Sequence, residues 1–168
     1  MTRQVHRRQF LTTSLGVGSA VFGLPLLQPS RVLGANERLN VGVIGVGGRG
    51  GADLAAMGDE NVVAICDVDA NRLNAAARKF PSAKKYFDYR RLLEQKDLDA
   101  IVVATPDHHH APASIRAMRR GLHVYCEKPL THTVAEARLL AQTAAKMKVA
   151  TQMGTQNHEH PGYVRLVE

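Results

Sequence analysis

Leu39-Asn40-Val41-Gly42-Val43-Ile44-Gly45-Val46-Gly47-Gly48-Arg49-Gly50 opens the stretch that decides the fold, and Asn61-Val62-Val63-Ala64-Ile65-Cys66-Asp67 closes it. The first run is apolar and rich in β-branched residues, as a buried strand is, and it breaks into glycines. Gly51-Ala52-Asp53-Leu54-Ala55-Ala56-Met57 is helix-compatible. The second apolar run ends on an acid about 20 residues after the glycines. Strand, glycine turn, helix, strand and acid form one unit, and each part has a chemical use. Gly45 permits a tight exit from the strand. Gly47 lets the backbone approach a pyrophosphate closely. Gly50 lets the helix lie against the strand, and the helix N-terminus turns unpaired N–H groups towards phosphate. Asp67 then stands where a carboxylate accepts hydrogen bonds from an adenosine ribose. That carboxylate repels a 2′-phosphate, which favours NAD; Arg49 and Arg72 are nearby cations that leave NADP open.

The rest of the chain repeats the alternation. Asp69 is placed to cap a helix over Ala70 to Phe80, which Pro81 ends. Lys84-Lys85-Tyr86-Phe87 reads as a short third strand, and Asp88 caps a short helix carrying Leu92 and Leu93. Asp99 to Ala104 is a continuous apolar run, as expected of a parallel strand covered on both faces. It leads into Thr105-Pro106-Asp107-His108-His109-His110, a helix from Ala111 to Arg120, and Gly121 as its C-terminal cap. Leu122 to Cys126 is the fifth strand, followed by Glu127-Lys128-Pro129. Thr131 or Thr133 caps a long helix through Lys148, and Val149 to Met153 is the sixth strand. Such an order gives an α/β fold with a doubly wound parallel sheet, the Rossmann fold. Gly45, Asp67, Thr105 and Glu127-Lys128 all fall at the carboxyl ends of strands, where such sheets hold ligands.

The 168-residue chain carries a net charge of +7. Residues 1–35 hold Arg3, Arg7, Arg8 and Arg31 and no acid, so without them 18 of the 22 basic residues face 15 acidic ones. No basic face interleaved with aromatics remains, and nucleic acid is not an expected partner. Arg7-Arg8-Gln9-Phe10-Leu11 followed by the mildly apolar Leu11 to Leu27 has the form of a twin-arginine (Tat) export signal. It implies the Tat machinery as a partner and a periplasmic or exported destination. Cys66 and Cys126 each end a predicted strand and read as small buried thiols. Of His108, His109 and His110, one is expected to turn inward and two to face water. Consecutive residues at such a turn point in different directions, so no metal site is assigned to them, nor to His158-Glu159-His160. His123 reads as a partly buried structural residue. Lys128 is the most informative candidate, because an amine at the mouth of a parallel sheet can hold a substrate oxygen and exchange its proton.

The pattern from Leu39 to Gln156 resembles the nucleotide-binding domain of the glucose–fructose oxidoreductase and inositol dehydrogenase (Gfo/Idh/MocA) family. That family carries a TPxxxH loop and, about 20 residues on, an EKP tripeptide. Thr105-Pro106-Asp107-His108-His109-His110 and Glu127-Lys128-Pro129 match both, with Asp107 where many members have Asn. The resemblance implies that Gly45, Val46, Gly47, Gly48, Arg49 and Gly50 line the pyrophosphate and that Asp67 holds the adenosine ribose. It places Thr105, Pro106 and His110 at the nicotinamide half, Glu127 on the nicotinamide ribose, and Lys128 as catalytic lysine and cofactor contact. It implies an NAD(P)-dependent oxidoreductase acting on a sugar or polyol. It also divides the chain into a signal at 1–35, a Rossmann domain at 36–156 and the start of a second α/β domain at 157–168. In the family that second domain forms the substrate wall and the homo-oligomer interface. This chain is then the cofactor-binding part, expected to turn over little by itself. Two alternatives stay open: an NAD-dependent glycoside hydrolase of the same family, and a non-catalytic nucleotide-binding module.

Overall fold

A computed structural model describes residues 38–155. The predicted signal at 1–35 and the segment 157–168, with His158 and His160, lie outside the described residues.

The decisive stretch folds as read. Strand β1 (Asn40–Ile44) leads through Gly45-Val46-Gly47 into helix α1 (Gly48–Ala56), and β2 (Asn61–Cys66) returns parallel to β1. Helix α2 (Ala70–Lys79) starts on the Asp69 side chain, which accepts from the Asn71 and Arg72 N–H groups. Strand β3 (Lys84–Tyr86) is one residue shorter than expected, and Asp88 caps helix α3 (Tyr89–Leu92) through the Arg90 N–H. Strand β4 (Ala100–Val103) follows, then helix α4 (His110–Met118), β5 (His123–Glu127), helix α5 (Val134–Met147) and β6 (Thr151–Gly154). The six strands are ordered β3-β2-β1-β4-β5-β6, and every described pairing is parallel. The chain reverses its direction of travel across the sheet between β1 and β4. There the loops diverge and a crevice opens outside the strand ends.

Alternation along the strands divides the core between the two faces. Val43, Ile65 and Val102 pack with Leu54 of α1 and Leu73 of α2 on one face. Their neighbours Ile44, Cys66, Ile101 and Val103 pack with Ala113 of α4 and Leu140 of α5 on the other. Burying side chains the size of Ile65 or Ile101 contributes about 2 kcal/mol each relative to exposure. Both cysteines are free and buried. Burial first, then Asp67 and Asp88, push the Cys66 thiol up to about 12.

Several local readings are settled or shifted: α4 ends at Met118 rather than Arg120, and β5 sits one residue later than expected. Helix α4 begins at His110, behind a tight 3-10 turn over Asp107–His109 in which the His109 N–H reaches the Pro106 carbonyl at 2.8 Å. Thr133 caps α5, in a reciprocal box with Glu136. That helix stops at Met147 because Lys148 takes a left-handed conformation with φ 55°, so β6 starts later and runs to Gly154. His123 is exposed, and its Nδ1 accepts the Ala150 N–H at 2.9 Å.

Candidate functional site: a dinucleotide crevice

The glycine turn is built by close backbone approach. Gly45 has φ 86°, and a Cβ there would meet the Ala104 carbonyl oxygen at 2.5 Å. A Cβ on Gly50 would run into the Gly45 carbonyl oxygen, so α1 leaves the sheet at a distance only glycine allows. No side chain caps the N-terminus of α1. Its first N–H groups therefore have no side-chain partner, and they lie at the positive end of the helix dipole beside the crevice that Gly47 and Arg49 line.

Asp67, at the tip of β2, is buried and stitches this turn together. One carboxylate oxygen accepts the Val46 N–H at 3.0 Å and the other accepts the Asp69 N–H at 2.9 Å. A carboxylate has a further lone pair on each oxygen, so acceptor capacity is left over for a hydroxyl. Asp67 lines a cavity of about 470 Å³ with Gly45, Gly47, Arg72, Phe87, Thr105 and Pro106. Val68 is 88% exposed and Phe87 61%, and both line this cavity as apolar surface the core leaves unused. Arg72 lies across Gly47, where a Cβ would meet its Cδ at 2.6 Å.

A second cavity, about 250 Å³, adjoins the first through Ala104 and Thr105. Arg49, Asp107, His110, Glu127 and Lys128 complete its lining. Lys128 is exposed, on the same sheet edge as the glycine turn, and a cis bond joins it to Pro129. The Arg49 guanidinium bridges two buried acids: Nη2 lies 2.9 Å from Asp53 Oδ1, and Nε donates to Glu127 Oε1 at 3.2 Å. Tyr125 also donates to Glu127 Oε1, at 3.1 Å. Its hydrogen bond to Glu127, then the charge of Asp53, raise the Arg49 pKa, while burial, followed by Glu127, raises that of Asp53.

His110 is 1% exposed and joins the two loops that line this cavity. Its Nδ1 is 2.6 Å from the Pro129 carbonyl oxygen and its Nε2 is 2.7 Å from that of Thr105. Carbonyl oxygens only accept, so the ring satisfies both contacts as an imidazolium. The Cys126 side chain first, and then the Pro129 and Thr105 carbonyls, outweigh burial and lift its pKa to about 9 from an ordinary 6.5. A raised pKa means that the folded protein binds this proton more tightly than the unfolded chain. The stabilisation is complete below 6.5 and is lost as pH rises through about 9. Denaturant titrations should show stability falling over that window by up to about 3 kcal/mol, and His110→Gln should flatten the dependence. His108 and His109, in contrast, are exposed, their ring centroids 4.6 Å apart.

Every residue expected to touch the cofactor thus lies along one edge of the sheet. Gly45, Gly47, Asp67, Thr105 and Pro106 border the larger cavity, and Arg49, Thr105, His110, Glu127 and Lys128 the smaller. Val46 gives its N–H to Asp67, and Gly48, with φ 50°, turns the backbone into α1. Sequence reading missed Asp53, Tyr125 and Phe87. The first had a signal: Asp53 follows Arg49 by one helical turn and interrupts an otherwise small and apolar helix. A crevice with a glycine cradle, an uncapped helix start and a terminal acid fits a dinucleotide.

Residues 39–155 match the sequence profile of the oxidoreductase family described as having an NAD-binding Rossmann fold, GFO_IDH_MocA. The chain belongs to this family. An inositol 2-dehydrogenase of Salmonella paratyphi B is 32% identical over 76% of this chain and 40% of its own length. A glycosyl hydrolase family 109 protein of Saccharopolyspora erythraea is 36% identical over 84% of this chain and 37% of its own. Among solved structures, GenD2 from gentamicin A biosynthesis, in complex with NAD, superposes with a TM-score of 0.70 at 30% identity, covering 77% of this chain and 38% of GenD2. The chain thus spans about two fifths of the length of these Gfo/Idh/MocA relatives.

Proposed function

We propose that the protein of which this chain is the cofactor-binding part is an NAD-dependent oxidoreductase for a sugar or polyol. The observation that carries the reading is the placement of Lys128 in the cavity next to the glycine turn, on the one sheet edge. When bound, a nicotinamide dinucleotide would supply the hydride acceptor. The N–H groups at the start of α1 would hold its diphosphate, the spare lone pairs of Asp67 would accept from the adenosine ribose, and Val68 and Phe87 would flank the base. Glu127 would accept from the nicotinamide ribose. As a carbinol C–H loses its hydride, the Lys128 amine takes the hydroxyl proton; in the reverse direction it returns that proton to the carbonyl oxygen. Inositol dehydrogenases among the relatives support a polyhydroxylated substrate.

Arg7-Arg8 supports delivery of the folded protein by the Tat route to the periplasm or beyond, and homo-oligomers are expected of the complete protein. NADP stays within reach through Arg72, which borders the Asp67 cavity. The family 109 relative favours one second reading, transient oxidation by a retained cofactor during glycoside cleavage.

The test is to purify the full-length protein and follow NADH fluorescence on adding keto-sugars, polyols and aryl glycosides. Reoxidation by a keto-sugar supports the dehydrogenase. Release of the aryl group with no net change in NADH supports the hydrolase. Dinucleotide binding without either reaction overturns both in favour of a binding module.

A further inference from the structure

Asp53 has no part in the proposed reaction, yet it is a charged residue type placed at 5% exposure on a helix that needs no acid for its packing. One oxygen meets Arg49, and the other, Oδ2, is buried with no hydrogen-bond partner. The same guanidinium binds Glu127, which is 4% exposed, so two buried carboxyl groups meet at the Arg49 guanidinium. If both were ionised, two like charges would crowd one guanidinium out of water beside an unmatched Asp53 oxygen, an unfavourable arrangement. A single proton removes both problems. Placed on Asp53 Oδ2, it gives that atom a hydrogen to donate and leaves Glu127 as the carboxylate, the member that also collects the Tyr125 hydroxyl and the Arg49 Nε–H.

We propose that Asp53 is a positioning residue that works as a neutral acid: it donates a proton-bearing oxygen to the Glu127 carboxylate while Arg49 clasps both. The direction of the Asp53 pKa, up through burial and then through Glu127, agrees. Arg49 and Glu127 are the charged groups that act on it, and Tyr125, its own pKa raised by burial and in part by the Asp53 charge, is the remaining titratable neighbour. Its role rests on the reading given above. The cluster spans from the first turn of α1, where the diphosphate would sit, to the end of β5, where Lys128 follows. It sets the distance between the two ends of the site and keeps Glu127 charged as an acceptor for ribose hydroxyls. Arg49 is in consequence a strut between α1 and β5, with its guanidinium turned to the acids.

The test compares Asp53→Ala with Asp53→Asn in the full chain. Asn keeps an oxygen for Arg49 and an N–H for Glu127, so it copies the protonated acid. Asp53→Ala should weaken NADH binding about tenfold, and Asp53→Asn should restore it to within about twofold of the unsubstituted protein. Infrared spectra of protein with 13C-labelled aspartate near pH 7 should contain a protonated carboxyl band that Asp53→Asn removes. The proposal is overturned by an Asn variant as weak as Ala, or by a spectrum without that band. The infrared result needs no bound dinucleotide, so it decides the acid pair even if NADH does not bind and the oxidoreductase reading fails.

Discussion

Lys128→Ala in the full-length protein is expected to slow hydride transfer about a thousandfold, the loss that follows removal of a positioned proton acceptor. NADH affinity should change by no more than a few-fold, because the diphosphate and adenosine contacts lie on α1, β2 and the first cavity. Lys128 is exposed, so its truncation removes nothing from the core, and the melting temperature should hold. Rapid-quench or stopped-flow measurement of the first turnover, beside an NADH titration, separates the two quantities. A variant that loses affinity and rate together would make Lys128 a binding group rather than the group that moves the proton.

Gly50→Ala is the substitution expected to damage the fold most. Its new methyl group would occupy the position of the Gly45 carbonyl oxygen, a backbone atom that has no rotamer to escape into. Either α1 shifts off the sheet or the turn reopens. The cost should be about 3 kcal/mol or more, with loss of NADH binding even where folded protein is recovered. Gly58→Ala is the control: nothing lies within 4 Å of a Cβ at that position and its φ is not positive, so stability should be unchanged or slightly raised. Gly48 lies between the two, with open space but φ 50°, and Ala there should cost about 1 kcal/mol. Urea titrations of the three variants rank them directly.

Strands were legible because a parallel sheet covered on both faces favours apolar runs rich in β-branched residues, and Val41 to Ile44, Val62 to Cys66 and Ile101 to Val103 supply them. The order in which they pair follows from chain connectivity once the crossovers are helical. Element ends were harder to read. The late start of β6 depends on Lys148 adopting a left-handed conformation that an apolar run does not announce, and the early start of α4 depends on the Pro106 carbonyl closing a tight turn first. The site was readable wherever backbone geometry forces a residue type, as at Gly45 and Gly50. It was less readable where side chains from distant elements meet. His110 borders the smaller cavity, as expected, but that both its ring nitrogens hold loop carbonyls was not to be read from the sequence. Asp53, Tyr125 and Glu127 come from α1 and β5, and only the folded sheet brings them onto one guanidinium. Phe87 follows a short edge strand and has no local pattern that reveals its role at the crevice.

The central claim is that a nicotinamide dinucleotide lies along this edge, its diphosphate on the amides of residues 47–50 at the start of α1 and its nicotinamide end towards Lys128. Titrating NADH into 15N-labelled protein and following the backbone amides tests it most directly. The largest shifts should fall on Val46 to Gly50, Asp67 to Asp69, Thr105 to Asp107 and Glu127 to Lys128. Shifts concentrated instead at the C-terminal end of α4 and just beyond it, around Arg116, Arg119 and Arg120, with the glycine turn unmoved, would contradict it.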